Sequence, residues 1–115
     1  MLLNLSNHPN HLWGDNQRAK AIELYGEVKD LPFPQISPSL DSVGLDLLVE
    51  DYEHQVSKFD PIAVHIMGEM TFTFRLVTLL KSQGILCIAS TTQRIASEEN
   101  GIKISKFEFV QFRSY

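Results

Sequence analysis

The chain has 115 residues, a formal net charge of −4 and a single cysteine. That length is one domain, and 43% hydrophobic with 21% charged residues is the composition of a chain that buries a core rather than a disordered one. The acidic balance argues against a duplex-DNA-binding surface. The lone Cys87 rules out an internal disulfide or a cysteine-rich zinc site. No apolar run reaches the ~20 residues of a membrane span, and Met1-Leu2-Leu3-Asn4-Leu5-Ser6 lacks the long apolar region of a signal peptide. The expected location is therefore cytoplasmic.

Leu2 to Leu5 reads as a short first strand, broken by Ser6-Asn7-His8-Pro9-Asn10-His11. The first helix is expected from Asp15, as its N-cap, to Gly26, with Ala19, Ile22 and Tyr25 on its apolar face. A weak edge strand follows at Glu27 to Leu31. Pro32, Pro34 and Pro38 then hold the chain extended. The second helix is expected to begin around Ser39 to Asp41, with Val43, Leu47, Leu48, Tyr52, Val56 and Phe59 at helical spacing. Asp46, Glu50 and Glu53 decorate its other side.

Pro61 to Met67 is nearly all apolar and suits a strand buried on both faces. A third helix is expected from about Glu69 to Gln83, with a polar stripe of Thr71, Arg75, Thr78 and Ser82 and apolar cover elsewhere. Ile85 to Ala89 is the fourth strand, which Ser90-Thr91-Thr92 is expected to close. Asn100-Gly101 is a strong hairpin signal between a strand near Gln93–Ser97 and a long one near Ile102–Arg113. The change of hydrophobic phase between Phe109 and Val110 suggests a bulge there, or a strand buried on both sides.

Strands alternating with helices imply an α/β, Rossmann-like open sheet, mainly parallel, with order 2-1-3-4, helices on both faces and a C-terminal β-hairpin. In such a sheet ligands bind outside the carboxyl ends of the strands, where the winding reverses. The loops expected to meet there are Leu5 to Pro9, Met67 to Thr71 and Ser90 to Arg94. Gly68 permits a sharp turn or a close approach to a ligand, and free amides at the start of the third helix can bind an anion. Glu69 reads either as a cap of that helix or as a general base. His8, beside Ser6 and Asn7, is either a proton-transfer group, since imidazole titrates near neutral pH, or a locally bonded loop residue. Ser90, Thr91, Thr92 and Arg94 fit phosphate contacts or a hydroxyl-rich turn. His65 reads as a satisfied core histidine, His11 and His54 as surface residues, and Trp13 either as a ring that stacks on a base or as a hydrophobic anchor over the helix. The sequence shows no dinucleotide or P-loop fingerprint, no Ser-His-Asp spacing and no metal-ligand cluster. No metal and no cofactor is expected.

The segments Leu3-Asn4-Leu5-Ser6-Asn7-His8-Pro9, Val64-His65-Ile66-Met67-Gly68-Glu69-Met70-Thr71 and Ser90-Thr91-Thr92-Gln93-Arg94 resemble the strand tips of small, single-domain CRISPR-associated proteins with a CARF-like Rossmann fold, particularly the minimal ring nucleases. The resemblance implies a homodimer that binds a cyclic oligoadenylate and opens it without a metal. A ribose 2′-hydroxyl attacks the adjoining phosphodiester, leaving a linear product with a cyclic 2′,3′-phosphate. Ser6, Asn7, His8, Gly68, Thr71 and Arg94 match positions where ligand contacts would fall, with Met70, Ser90, Thr91 and Thr92 beside them. His8 or Glu69 would transfer the proton, and Arg94 with the third-helix amides would balance phosphate charge. Two other readings fit the same residues. One is a nucleotide sensor without turnover. The other is an interaction protein whose Phe-rich last strand packs in a homodimer and whose loops carry no ligand.

Overall fold

The computed structural model describes residues 1–115. A five-stranded sheet has the order β2-β1-β3-β4-β5, built from β1 (Leu2–Ser6), β2 (Val28–Asp30), β3 (Ala63–Met67), β4 (Leu86–Glu99) and β5 (Ile102–Ser114). β1, β2, β3 and the start of β4 are parallel, and β5 runs antiparallel to β4. Three helices connect them: α1 (Asp15–Tyr25), α2 (Ser42–Phe59) and α3 (Met70–Ser82). The α/β fold, strand order and C-terminal hairpin are those expected from the sequence.

Alternation along the central strands divides the core in two. Leu3 and Leu5 of β1 with Val64 and Ile66 of β3 pack under α2 and α3, against Val49, Val56, Phe72, Leu76 and Leu80. Leu2, Ala63 and Ile88 point the other way and are covered by Trp13 and by Ala21 of α1. Helices therefore lie on both faces, and β1 and β3 are buried on both sides.

Several local expectations are corrected. Asp15 is the first residue of α1, and its N-cap is Gly14, which supplies no side-chain bond. Ala21 is the residue α1 buries, whereas Ile22 is 54% exposed. α1 thus turns Ala21 rather than Ile22 to the sheet, in one cluster with Leu2 and Trp13. α2 starts at Ser42 behind Asp41, whose carboxylate accepts the Gly44 amide at 2.8 Å. Its buried positions are Leu45, Val49 and Val56, with Val43 and Leu47 exposed.

The largest difference is β4. Ser90-Thr91-Thr92 does not end the strand: β4 runs unbroken from Leu86 to Glu99. Its start pairs β3 over Leu86–Ile88, and its remainder pairs β5 as a long ribbon. β-branched threonines suit a pleated strand, and their pairing partners lie about twenty residues later, beyond any local turn pattern. The expected bulge is present, at a register shift opposite Thr91/Thr92 in which Val110 is skipped. Asn100 and Gly101 turn the ribbon with φ of 53° and 76°, the two positive values that a type I′ turn requires.

Candidate functional site

β3 and β4 pair only as far as His65 and Ile88. Beyond that point the ribbon leaves the sheet, and a cavity of about 810 Å³ opens on the α1 side. Ser6, Asn7 and His8 at the tip of β1 line it, with His65 and Met67 of β3, Ser90 and Thr92 of β4, the first turn of α1 from Gly14 to Gln17, and Phe107, Glu108 and Phe109 of β5. The three phenylalanines Phe107, Phe109 and Phe112 pair opposite Arg94, Thr92 and Ser90. The bulge absorbs Val110 and so keeps all three rings on the cavity face.

Backbone groups more than side chains hold the β1 loop. The His8 carbonyl accepts from Asn4 Nδ2 at 2.9 Å and from the Trp13 indole at 3.0 Å. Asp30 accepts from the Asn10 amide and from Asn10 Nδ2, and Arg18 donates to the Asn10 carbonyl at 2.8 Å. The His8 ring projects outward, its Nε2 donating to the Leu12 carbonyl at 3.2 Å.

Beneath this loop lies a buried polar chain. Asn4 Nδ2 also donates to Asp30 Oδ1 at 2.8 Å. Asn4 Oδ1 accepts from Ser6 Oγ at 2.8 Å and meets His65 Nδ1 at 2.9 Å. His65 Nε2 meets Ser90 Oγ at 2.7 Å, and Gln17 Nε2 donates to Ser90 Oγ at 3.0 Å. Asn4 and His65 are almost fully buried. Burial lowers the imidazole pKa to about 4, so His65 is neutral at physiological pH. Trp13 packs edge-on to the ring, as does Phe112.

Polarity is fixed by what each atom is able to do. Asp30 and the His8 carbonyl are acceptors only, so the Asn4 amide must turn its NH₂ to them and its oxygen to His65. Nδ1 of the neutral ring then carries the proton, Nε2 is bare, and the Ser90 hydroxyl donates to it.

Of the residues expected at a site, Ser6, Asn7, His8, Ser90 and Thr92 share this cavity. Gly68 and Met70 instead line a second groove of about 500 Å³, with Thr73, Phe74, Val77 and Tyr115. Gly68 has an ordinary negative φ, and the place of its absent Cβ is filled by the Phe33 ring. Its smallness therefore serves packing. The Glu69 carboxylate caps α3, accepting from the Thr71 and Phe72 amides at 2.8 and 2.9 Å and from the Thr71 hydroxyl. Those bonds hold its pKa below the usual carboxylate range, and they occupy the amides expected to bind an anion. The helix amino end that does open on the cavity is that of α1. Thr91 exchanges bonds with the Gln111 backbone at the bulge. Arg94 lies out on the ribbon, its guanidinium donating to Ser105 Oγ at 3.0 Å. The Cys87 thiol is pushed up to about 11 by burial, as befits an inert strand residue.

No three His, Cys, Asp or Glu side chains come together as a metal-binding group, and no helix is long and apolar enough to cross a membrane. A family model described as the Uncharacterized protein MJ1673 family matches residues 1–113, nearly the whole chain. The chain belongs to that family. No curated protein and no solved structure matches it.

For this member of the MJ1673 family, sequence reasoning found the tips of β1 and β4 and read His65 as a bonded core histidine, but missed Asn4, Gln17 and the place of His65 in the cavity wall. A signal for two of them was present. Asn4 alternates with Leu3 and Leu5, and His65 with Val64 and Ile66, so both share one face of a parallel sheet. Two polar side chains on a buried face must be bonded to something. Gln17 carried no such signal, since its role depends on how α1 lies across the sheet.

Proposed function

We propose that this protein binds a cyclic oligoadenylate at the carboxyl edge of its sheet, shared between two subunits, and opens the ring without a metal. The supporting observation is the cavity in which Ser6, Asn7, His8, Ser90 and Thr92 converge with the uncapped amino end of α1. Backbone amides at such an end donate to phosphate oxygens. Phe107 and Phe109 offer ring faces for bases, and Asn7, Asn16 and Gln17 offer amide groups for base edges. A volume of about 810 Å³ falls in the range of a drug-sized site. A ring of several nucleotides is larger, which favours two subunits around one ligand.

In this reading the second subunit covers the groove beside α3. Phe74 and Met70 are 71% and 82% exposed there, and Met67 lines both this groove and the cavity. A partner seated on the groove therefore borders the ligand. Met70, Thr71 and Arg94 contribute in this reading only where the shared ring reaches beyond one subunit's cavity.

The lining holds two carboxylates, Asp15 and Glu108, and no lysine or arginine. That balance favours a second reading, a nucleotide sensor without turnover, because a phosphoryl transition state would find only neutral donors and His8. Incubation with cyclic tetra-adenylate in EDTA separates the two. A linear product ending in a 2′,3′-cyclic phosphate is the expected outcome. Intact ligand with thermal stabilisation, worth about 2.7 kcal/mol at ~100 times Kd, selects the sensor. Neither cleavage nor stabilisation overturns nucleotide binding altogether.

A further inference from the structure

The chain of bonds beneath the cavity has one direction. Gln17 donates to Ser90, Ser90 to His65, His65 to Asn4, and Asn4 to Asp30. The chain begins at residues that line the cavity and ends at Asp30, which does not. Ser90 is half-buried and lines the cavity. Its proton is committed to His65 and one lone pair to Gln17, so the second lone pair is the group it offers a ligand. A serine so arranged accepts a hydrogen from a ligand hydroxyl and has an open path to pass its own proton on. The residues stand as Ser-His-Asn, with Asp30 and the His8 carbonyl orienting the asparagine.

We infer that Ser90 is a catalytic residue that takes the proton from the attacking hydroxyl of the substrate, with His65 as the base behind it and Asn4 and Asp30 as positioning residues. This rests on the cleavage reading above. In the step, the ribose 2′-O–H bond breaks and its proton passes to Ser90 Oγ, while the Ser90 proton moves to His65 Nε2. The freed electron pair on the 2′-oxygen forms the new bond to phosphorus. The phosphorus–5′-oxygen bond breaks, and the leaving oxygen takes a proton from water. The imidazolium, its Nδ1–H held by Asn4 Oδ1, returns the Nε2 proton through the Ser90 hydroxyl to water in the cavity, so none is gained or lost. Removing a positioned proton acceptor of this kind costs about 100-fold or more in rate.

The test compares wild type, Ser90→Ala and Ser90→Thr for cleavage and binding of cyclic tetra-adenylate, with imidazole ¹⁵N NMR on the free wild type. Expected are a cleavage rate about 100-fold lower for Ser90→Ala, affinity held within about tenfold, the cost of one hydrogen bond, and partial rescue by threonine. The His65 spectrum is expected to show a proton on Nδ1 and none on Nε2. Unchanged cleavage by Ser90→Ala, or a proton on Nε2, overturns the relay while leaving the cleavage reading in place. No cleavage by folded wild type overturns both.

Discussion

His65 is a base kept out of water, and its cost is visible against pH. The ring titrates near 6.5 when unfolded and at about 4 in the fold. Between those values the unfolded chain binds the extra proton, so stability falls as pH drops from about 6.5 to 4. The loss approaches about 3 kcal/mol once pH is below the folded value. The groups facing the ring are Asn4, Ser90, Trp13 and Phe112, all uncharged, so burial alone sets the shift. Denaturation midpoints between pH 4 and 7 check this, and His65→Gln should flatten that part of the curve. An equally steep curve in the variant would assign the loss elsewhere. At this scale the sequence was legible in kind but not in partner. Histidine in an apolar run announces a bonded side chain, yet its partners lie 61 and 25 residues away, and only the sheet order joins them.

Glycine 68 and the ribbon turn show two different uses of a missing side chain. At Gly68 the Phe33 ring occupies the place of a Cβ. Gly68→Ala must displace that ring, which meets Phe72 edge-on at 5.1 Å. A loss of roughly 1–3 kcal/mol is expected, seen as a lower denaturation midpoint with an unchanged m-value. At Gly101 nothing lies within reach of a Cβ, but φ is +76°. Gly101→Ala therefore costs about 1 kcal/mol through backbone conformation. The cost should appear as faster amide exchange along Ile95–Lys106, with β1 and β3 unaffected. Equal acceleration in both regions would mean that the ribbon and the sheet open together. Elements with strong periodicity or turn chemistry were legible from residues: β1, β3, α3, the Asn100-Gly101 turn and the bulge. The end of β4 was not. Ser-Thr-Thr carries the composition of a loop, and only a partner strand far along the chain makes it a ladder.

The molecule measures 51 × 37 × 21 Å, elongated because the outer ribbon stands away from the sheet with both faces largely exposed. A two-stranded ribbon gains little from burial by itself, and Phe107 is 70% exposed. Met70 and Phe74 on α3 add to the large apolar side chains left in solvent. If a second copy covers the α3 groove, Phe74→Ser should raise the dimer dissociation constant roughly 1,000-fold. Burial of one phenylalanine is worth ~2 kcal/mol and two-fold symmetry counts it twice. Sedimentation velocity reads this directly, and a wild type monomeric at all concentrations would refute the assignment. Strand order and the position of the crevice were legible from the alternation of elements. The cavity's far wall was not, because it is made by the ribbon.

Skipping Val110 has a mechanical consequence. The distal part of β4, Thr92 to Glu99, spans about 23 Å at the usual rise per residue, and a bulge bends the strand that carries it. Each degree of bend at that hinge swings the far tip by about 0.4 Å. Deleting this single valine would leave the phenylalanines on the same side yet straighten the arm and re-aim its end, so one codon sets the reach of the whole limb.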